Sequence, residues 1–71
     1  MNKISPKKLL RSKWTAVSPV SKERHFMVID VEYYEDGLVV GCCIEAVISK
    51  RQSNIDWEDL KDESIWLQGW R

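Results

Sequence analysis

Residues 25–49 read HFMVIDVEYYEDGLVVGCCIEAVIS, two strand-like runs on either side of Asp36-Gly37. Asp-Gly between alternating apolar residues is the strongest two-residue hairpin signal, because both loop positions of a type I′ turn need positive φ. With those two residues as the loop, Glu35 faces Leu38 and the register of every later pair follows. One face then carries Met27, Ile29, Val31 and Tyr33 against Ala46, Ile44, Cys42 and Val40, which is almost wholly apolar. The other carries Val28, Asp30, Glu32 and Tyr34 against Glu45, Cys43, Gly41 and Val39, which is mixed. A slip of one residue would destroy this segregation, so turn chemistry and pattern specify the same register. Phe26 against Val47 and Tyr34 against Val39 make the ends of the mixed face apolar too. A hairpin with apolar patches on both faces bends around a core, as in small barrels, and Gly41 opposite Glu32 is the expected place for the bend.

The flanks add three short strands. Upstream, Ser5-Pro6 reads as an N-cap followed by Pro at the first helical position, with Ile4 and Leu9 as a hydrophobic staple. The spacing predicts a short helix from Pro6 to Arg11, held by tertiary packing because it is too short to stand alone. A strand from Lys13 follows and ends before Pro19. Downstream, a polar turn leads to a short strand ending at Trp57. Glu58 to Glu63 forms one helical or 3-10 turn with Leu60 directed inward, and Ile65 to Trp70 is a closing strand. Strands are expected near 13–18, 24–35, 38–49, 54–57 and 65–70. The fold class is mainly β: a small antiparallel sheet, or an SH3-like five-stranded barrel, with a short N-terminal helix. The expected organisation is a single domain over 1–71, with a basic N-terminal segment at 1–13 and the central hairpin at 24–49.

Composition narrows the function classes. The chain has 71 residues, 44% hydrophobic and 31% charged, which suits a soluble globular domain and neither a disordered nor a membrane-spanning chain. No apolar run approaches the roughly 18 residues of a membrane helix, and no apolar stretch of signal-peptide length follows the first lysines. A cytoplasmic location is expected. Cys42 and Cys43 are adjacent, so on a strand they point to opposite faces and cannot bond to each other without distortion. His25 is the sole histidine and has no zinc-ligand spacing around it; in this register it lies opposite Ile48 on the core side as a structural residue. Gly37, Gly41 and Gly69 are isolated, so no phosphate-cradling loop exists. Asp56, Glu58, Asp59, Asp62 and Glu63 lack calcium-loop spacing and read as a solvated turn. Lys50-Arg51 reads as a polar turn that keeps its loop soluble. An enzyme is not expected, nor a metal or a cofactor.

The run Lys8-Leu9-Leu10, then Ser12-Lys13-Trp14-Thr15-Ala16-Val17, Pro19 and Lys22-Glu23-Arg24-His25-Phe26 resembles a family of small tryptophan-rich bacterial proteins of unknown function. Glu45-Ala46-Val47, Lys50-Arg51, Trp57, Leu60-Lys61-Asp62, Trp66 and Gly69-Trp70 continue the likeness. Arg24 stands where the family pattern has Lys, and the hairpin tip is its variable part. The resemblance implies a bacterial, cytosolic, single-domain protein and supplies no activity or ligand.

Net charge is zero, yet the charges are segregated. Residues 1–25 hold Lys3, Lys7, Lys8, Arg11, Lys13, Lys22 and Arg24 against Glu23 alone, while ten of the eleven acids lie beyond. The basic segment either contacts phosphates or folds onto the acidic remainder. The four tryptophans divide similarly between core and stacking surface. Trp14 and Trp57 are expected inside, Trp70 outside, and Trp66 in either place. The resulting expectation is an uncharacterised binding module that meets RNA or another single-stranded nucleic acid. Lys7, Lys8, Arg11 and Lys13 would contact phosphates, and Trp66 or Trp70 would stack on bases. The competing expectation is a protein-interaction adaptor or homodimer, with no membrane contact in either case.

Overall fold

In the computed structural model, which describes residues 1–71, five strands form one antiparallel sheet. They are β1 (Lys13–Val20), β2 (Glu23–Tyr33), β3 (Val39–Ala46), β4 (Gln52–Ile55) and β5 (Trp66–Gln68). The spatial order is β4-β3-β2-β1-β5, so β1 to β4 form a meander and β5 returns to the free side of β1. The sheet is open: β4 and β5 are its two edges and do not pair, so the barrel alternative is not what forms.

The central hairpin has the expected pairing only in its middle. Asp30, Val31 and Glu32 face Cys43, Cys42 and Gly41, as the sequence pattern requires. On either side the register moves by one, because Ile29 is an extra residue in β2 and Val40 an extra residue in β3. Each bulge inverts the alternation beyond it. Phe26 and Val28, not Met27 and Ile29, therefore join Val31, Cys42, Ile44 and Ala46 on the core side. His25, directly opposite Thr15, lies on the outer face and not on the core face expected for it.

The turns also exchange roles. Glu35 to Gly37 form a three-residue loop in which Gly37 N donates to Tyr34 O (2.9 Å) and Tyr34 N to Leu38 O (2.8 Å). Only Gly37 has positive φ (87°) there, which is a turn closed by a glycine bulge rather than a type I′ turn. The type I′ geometry appears between β1 and β2, where Ser21 (φ 55°) and Lys22 (φ 63°) link the Val20–Glu23 pair. Neither residue type favours that conformation, so the signal was invisible in the sequence.

One face of the sheet carries the core, and it is covered by chain that belongs to no strand. Leu9, Trp14, Val28, Cys42, Ile44, Leu60 and Trp66 form the buried cluster, with Ile4, Phe26, Val31, Ile55 and Trp57 packed against it. Leu9 comes from the N-terminal segment and Leu60 from the 3-10 turn Trp57–Lys61 that links β4 to β5. The expected N-terminal helix is one 3-10 turn, Pro6–Lys8, and Ser5 makes no side-chain cap. Pinning replaces helicity. Asn2 Nδ2 donates to Leu60 O (2.9 Å) and Trp66 O (2.7 Å), and Asn2 N donates to Lys61 O (2.9 Å). Further hydrogen bonds run from Gln68 Nε2 to Lys3 O (2.7 Å), from Tyr33 Oη to Pro6 O (2.6 Å) and from Arg11 N to Val28 O (2.8 Å).

Two outcomes test this account. Leu9→Ala and Leu60→Ala should each lower the urea unfolding free energy by about 2–5 kcal/mol, whereas Leu10→Ala should change it by less than about 0.5 kcal/mol. Leu10 is the control because it is 53% exposed. Lys22→Gly should instead raise thermal stability, by about 1 kcal/mol, because glycine relieves the left-handed backbone there.

Candidate nucleic-acid interface

Direct cross-strand pairing puts Lys13, Thr15, His25, Met27, Glu45 and Leu67 on the outer face of the sheet. The C-terminal residues fold back over this face. Gly69 N donates to Lys13 O (2.8 Å), and the positive φ of Gly69 (79°) turns the chain away from the β5 direction. Thr15 Oγ1 donates to Gly69 O (2.7 Å) and accepts from Arg71 N (2.9 Å), which buries this threonine on an otherwise accessible face. Trp70 Nε1 donates to Phe26 O (2.9 Å).

Trp70 is thereby fixed by its polar edge while 43% of the residue stays exposed. Lys13 Nζ lies 4.8 Å from its ring centroid, a cation–π contact. The His25 ring lies 6.1 Å away at a tilt of 35°, with Nε2 hydrogen-bonded to Arg71 O (2.8 Å). Lysine, histidine, indole and arginine thus meet at the Lys13 end of β1. Sequence reasoning named Lys13 and Trp70 but missed His25, because the Ile29 bulge that turns it outward leaves no trace in the pattern.

The other expected residues fall elsewhere. Trp66 is 8% exposed and packs edge-on against Phe26 with ring centroids 5.2 Å apart, so it is core and cannot stack on a base. Trp14 is buried too, its Nε1 donating to Ser12 Oγ (2.8 Å). Lys7 and Lys8 sit on the Pro6–Lys8 turn, within the segment that covers the core face. Arg11 (φ 66°) occupies the bend between the two sides. The six residues therefore separate into Lys13 with Trp70 outside, Lys7 and Lys8 across the sheet, Arg11 between them, and Trp66 within.

The basic segment packs beside the acidic turn, yet its lysines and Arg11 pair with none of the carboxylates there. The chain has two ion pairs, the Met1 ammonium with Glu63 (2.7 Å) and Arg51 with Glu23. Lys7, Lys8, Arg11 and Lys13 are exposed and have no carboxylate within ion-pair distance. Asp56 and Asp62 instead accept local backbone bonds, from Glu58 N (3.0 Å) and Ser64 N (2.9 Å). Ser64 Oγ also donates to Asp62, and these bonds hold the Asp62 carboxyl below its ordinary range. No three His, Cys, Asp or Glu side chains gather as a metal site would require.

Glu23 is the polar residue the sequence did not single out. It is 5% exposed and receives Ser49 Oγ together with both Arg51 Nε (3.1 Å) and the Arg51 terminal amino group. This ties the β1–β2 turn to the β3–β4 turn and gives Arg51 a partner in place of solvent. The Ser49 hydrogen bond is the main cause of its depressed pKa; burial opposes the shift, and Arg51 adds to it. Cys42 is buried and Cys43 half-buried, both free, and burial foremost pushes the Cys42 thiol up to about 11.

A family model for tryptophan-rich proteins, DUF2389, matches residues 12–71. The chain belongs to this family. The family is one of unknown function, so membership adds no activity to the geometry. Neither a curated protein nor a solved structure matches the chain. No helix is long and apolar enough to cross a membrane.

The Glu23 anchor predicts a pH dependence. A carboxyl depressed in the folded state stabilises fully above its unfolded pKa, and that contribution is lost as pH falls through the folded value. Melting temperatures should therefore show wild type ahead of Glu23→Gln at pH 7. The gap should close as the pH drops below about 4.5, the ordinary glutamate value. Asp62 titrates in the same direction in both proteins and cancels from the comparison.

Proposed function

We propose that this chain is a non-catalytic module that binds single-stranded nucleic acid, RNA above all, on the outer face around Trp70. The observation that carries this reading is an exposed indole, held by its Nε1 bond to Phe26 O, beside Lys13 and His25. A ring fixed in this way offers a stacking surface at little entropic cost, and any unpaired base has a face to lay against it. Lys13 lies over the ring and would move to a phosphate as a base takes that face, while Arg11 at the bend leads on to Lys7 and Lys8 on the other side of the sheet. Each of these cations lacks an acidic partner, so none must break an ion pair before meeting a phosphate.

A second reading, self-association or docking of a partner protein, is favoured by a different observation. Strand β4 presents an unpaired edge, and Tyr34, Leu38 and Val40 are exposed at and beside the hairpin tip. Exposed strand edges recruit further strands.

Titration with a single-stranded oligouridylate separates the two. Quenching of tryptophan emission should saturate, and Trp70→Ala should weaken binding by about 1–3 kcal/mol. The triple variant Lys7→Glu, Lys8→Glu, Arg11→Glu should flatten the slope of log affinity against log salt by about 2, given roughly 0.7 per phosphate contact on single strands. No quenching at low salt, together with a mass that rises with protein concentration, would favour the β4-edge reading instead.

A further inference from the structure

On the opposite side of the molecule a groove of about 480 Å³ opens between the N-terminal segment and the turn Trp57–Lys61. Lys3, Lys8 and Lys61 line it together with Met1, Asn2, Ile4 and Ser5, and no carboxylate contributes to its wall. We propose that this groove is a phosphate-binding site, with the three ammonium groups and the Ser5 hydroxyl as its donors.

Asn2 clamps the N-terminal segment to Leu60, Lys61 and Trp66 through three hydrogen bonds, which fixes one wall against the other. Lys3 is held at its carbonyl by Gln68 Nε2, leaving its side chain exposed. Lys8 N donates to Ser5 O (2.9 Å), which closes the Pro6–Lys8 turn and sets Ser5 and Lys8 on the same rim. Ser5 stands at an N-cap position, yet its hydroxyl makes no cap bond and remains free to donate. Lys61 is held with Nζ 4.4 Å from the Trp57 ring centroid, a contact that orients the ammonium and leaves its hydrogens unclaimed.

Electrostatics favours an anion here. None of the three lysines is ion-paired. The nearby acids Glu58, Asp62 and Glu63 line a separate groove that shares only Met1 and Lys61 with this one, and Glu63 is already engaged by the Met1 ammonium. A cleft lined by charges of one sign focuses the field within it. Three ammoniums and a hydroxyl match the compact, multiply charged, acceptor-rich form of a phosphate group, and lysine binds such a group as a point charge. Phosphate of this kind has two sources, a free phosphate or pyrophosphate and the backbone of a nucleic acid. The site does not depend on stacking at Trp70, so it stands or falls separately from the outer-face reading.

The test follows backbone amides and the Trp57 indole N–H of the full chain by nitrogen-15 correlation spectra. Inorganic phosphate and pyrophosphate are added at constant ionic strength, with chloride as the comparison. Saturable shifts at Lys3, Ser5, Lys8, Lys61 and the Trp57 indole are expected. Lys8→Gln and Lys61→Gln should each weaken binding about tenfold, the loss of one charge-assisted hydrogen bond. Lys8→Arg should retain it, and Arg24→Gln, outside the groove, should leave it unchanged. An oligouridylate that reproduces these shifts identifies the nucleic-acid backbone as a source. One that shifts only the Lys13–Trp70 surface identifies free phosphate as the ligand of the groove. Shifts that fail to saturate, that chloride reproduces, or that Arg24→Gln reduces as much as Lys8→Gln would overturn the proposal. Absence of all oligouridylate binding beside saturable phosphate shifts would remove the outer-face reading and leave this one intact.

Discussion

A single sheet has one apolar face too many for water, and everything else in this protein answers that constraint. With 71 residues there is no second sheet and no helix to cover it. The cover is made from two short segments, one before β1 and one between β4 and β5, each contributing a single fully buried leucine. The hydrogen bonds within each of these single 3-10 turns are too few to make it stable alone. Asn2 supplies the restraint by joining both segments and β5 at one point. The match to the tryptophan-rich family begins at residue 12, so the segment that carries Leu9 and Asn2 lies outside it. Residues 12–71 carry Trp14 and Val28, which share one buried cluster with Leu9.

The parts of the fold legible in the sequence are those where neighbouring residues decide the outcome alone. Five strands, the hairpin about Gly37, the turn that buries Leu60 and the opposed thiols of Cys42 and Cys43 all follow from local pattern. So does the core side of β3, where Cys42, Ile44 and Ala46 alternate without interruption. The core side of β2 was not legible, because Ile29 suits either face and its bulge is imposed by what lies across the sheet. An alternation rule carries no information past such a residue. The Ser21-Lys22 turn illustrates the same limit from the other direction. Its backbone is unfavourable for both residues, and the buried Glu23 that follows is held from outside by Ser49 and Arg51.

The candidate surface was half legible for a related reason. Strict alternation along 65–70 would put Trp66 and Trp70 on the same face. Trp66 does obey it, facing inward beside Ala16. Gly69 then breaks the strand and carries Trp70 over the opposite face, next to Lys13. Composition could announce four indoles and seven early cations, but which of them meet is settled by one glycine and one bulge. The fate of the charges was equally undecided by counting. An acidic turn next to a basic segment invites pairing, yet Asp56 and Asp62 spend their carboxylates on local backbone bonds, and Lys7, Lys8 and Arg11 stay free.

A net charge of zero would seem to leave such a protein without attraction for a polyanion. Screening removes that objection. At physiological ionic strength the Debye length is about 8 Å, so an exposed charge senses its near neighbours and little else. The molecule measures 37 by 25 by 15 Å, and acids on one part of it cannot cancel unpaired lysines on another across most of that span. What matters is the local sum. Lys13 and Arg71 adjoin Trp70, and Lys3, Lys8 and Lys61 line the groove. Arg11, at the bend between these two sides, links them with a further free cation. A neutral chain of this kind lacks the long-range steering of a strongly basic one, so the anion binding proposed above would depend on contact geometry more than on encounter rate. The burden of affinity would then fall on the indole that Phe26 O fixes and on the few lysines near it.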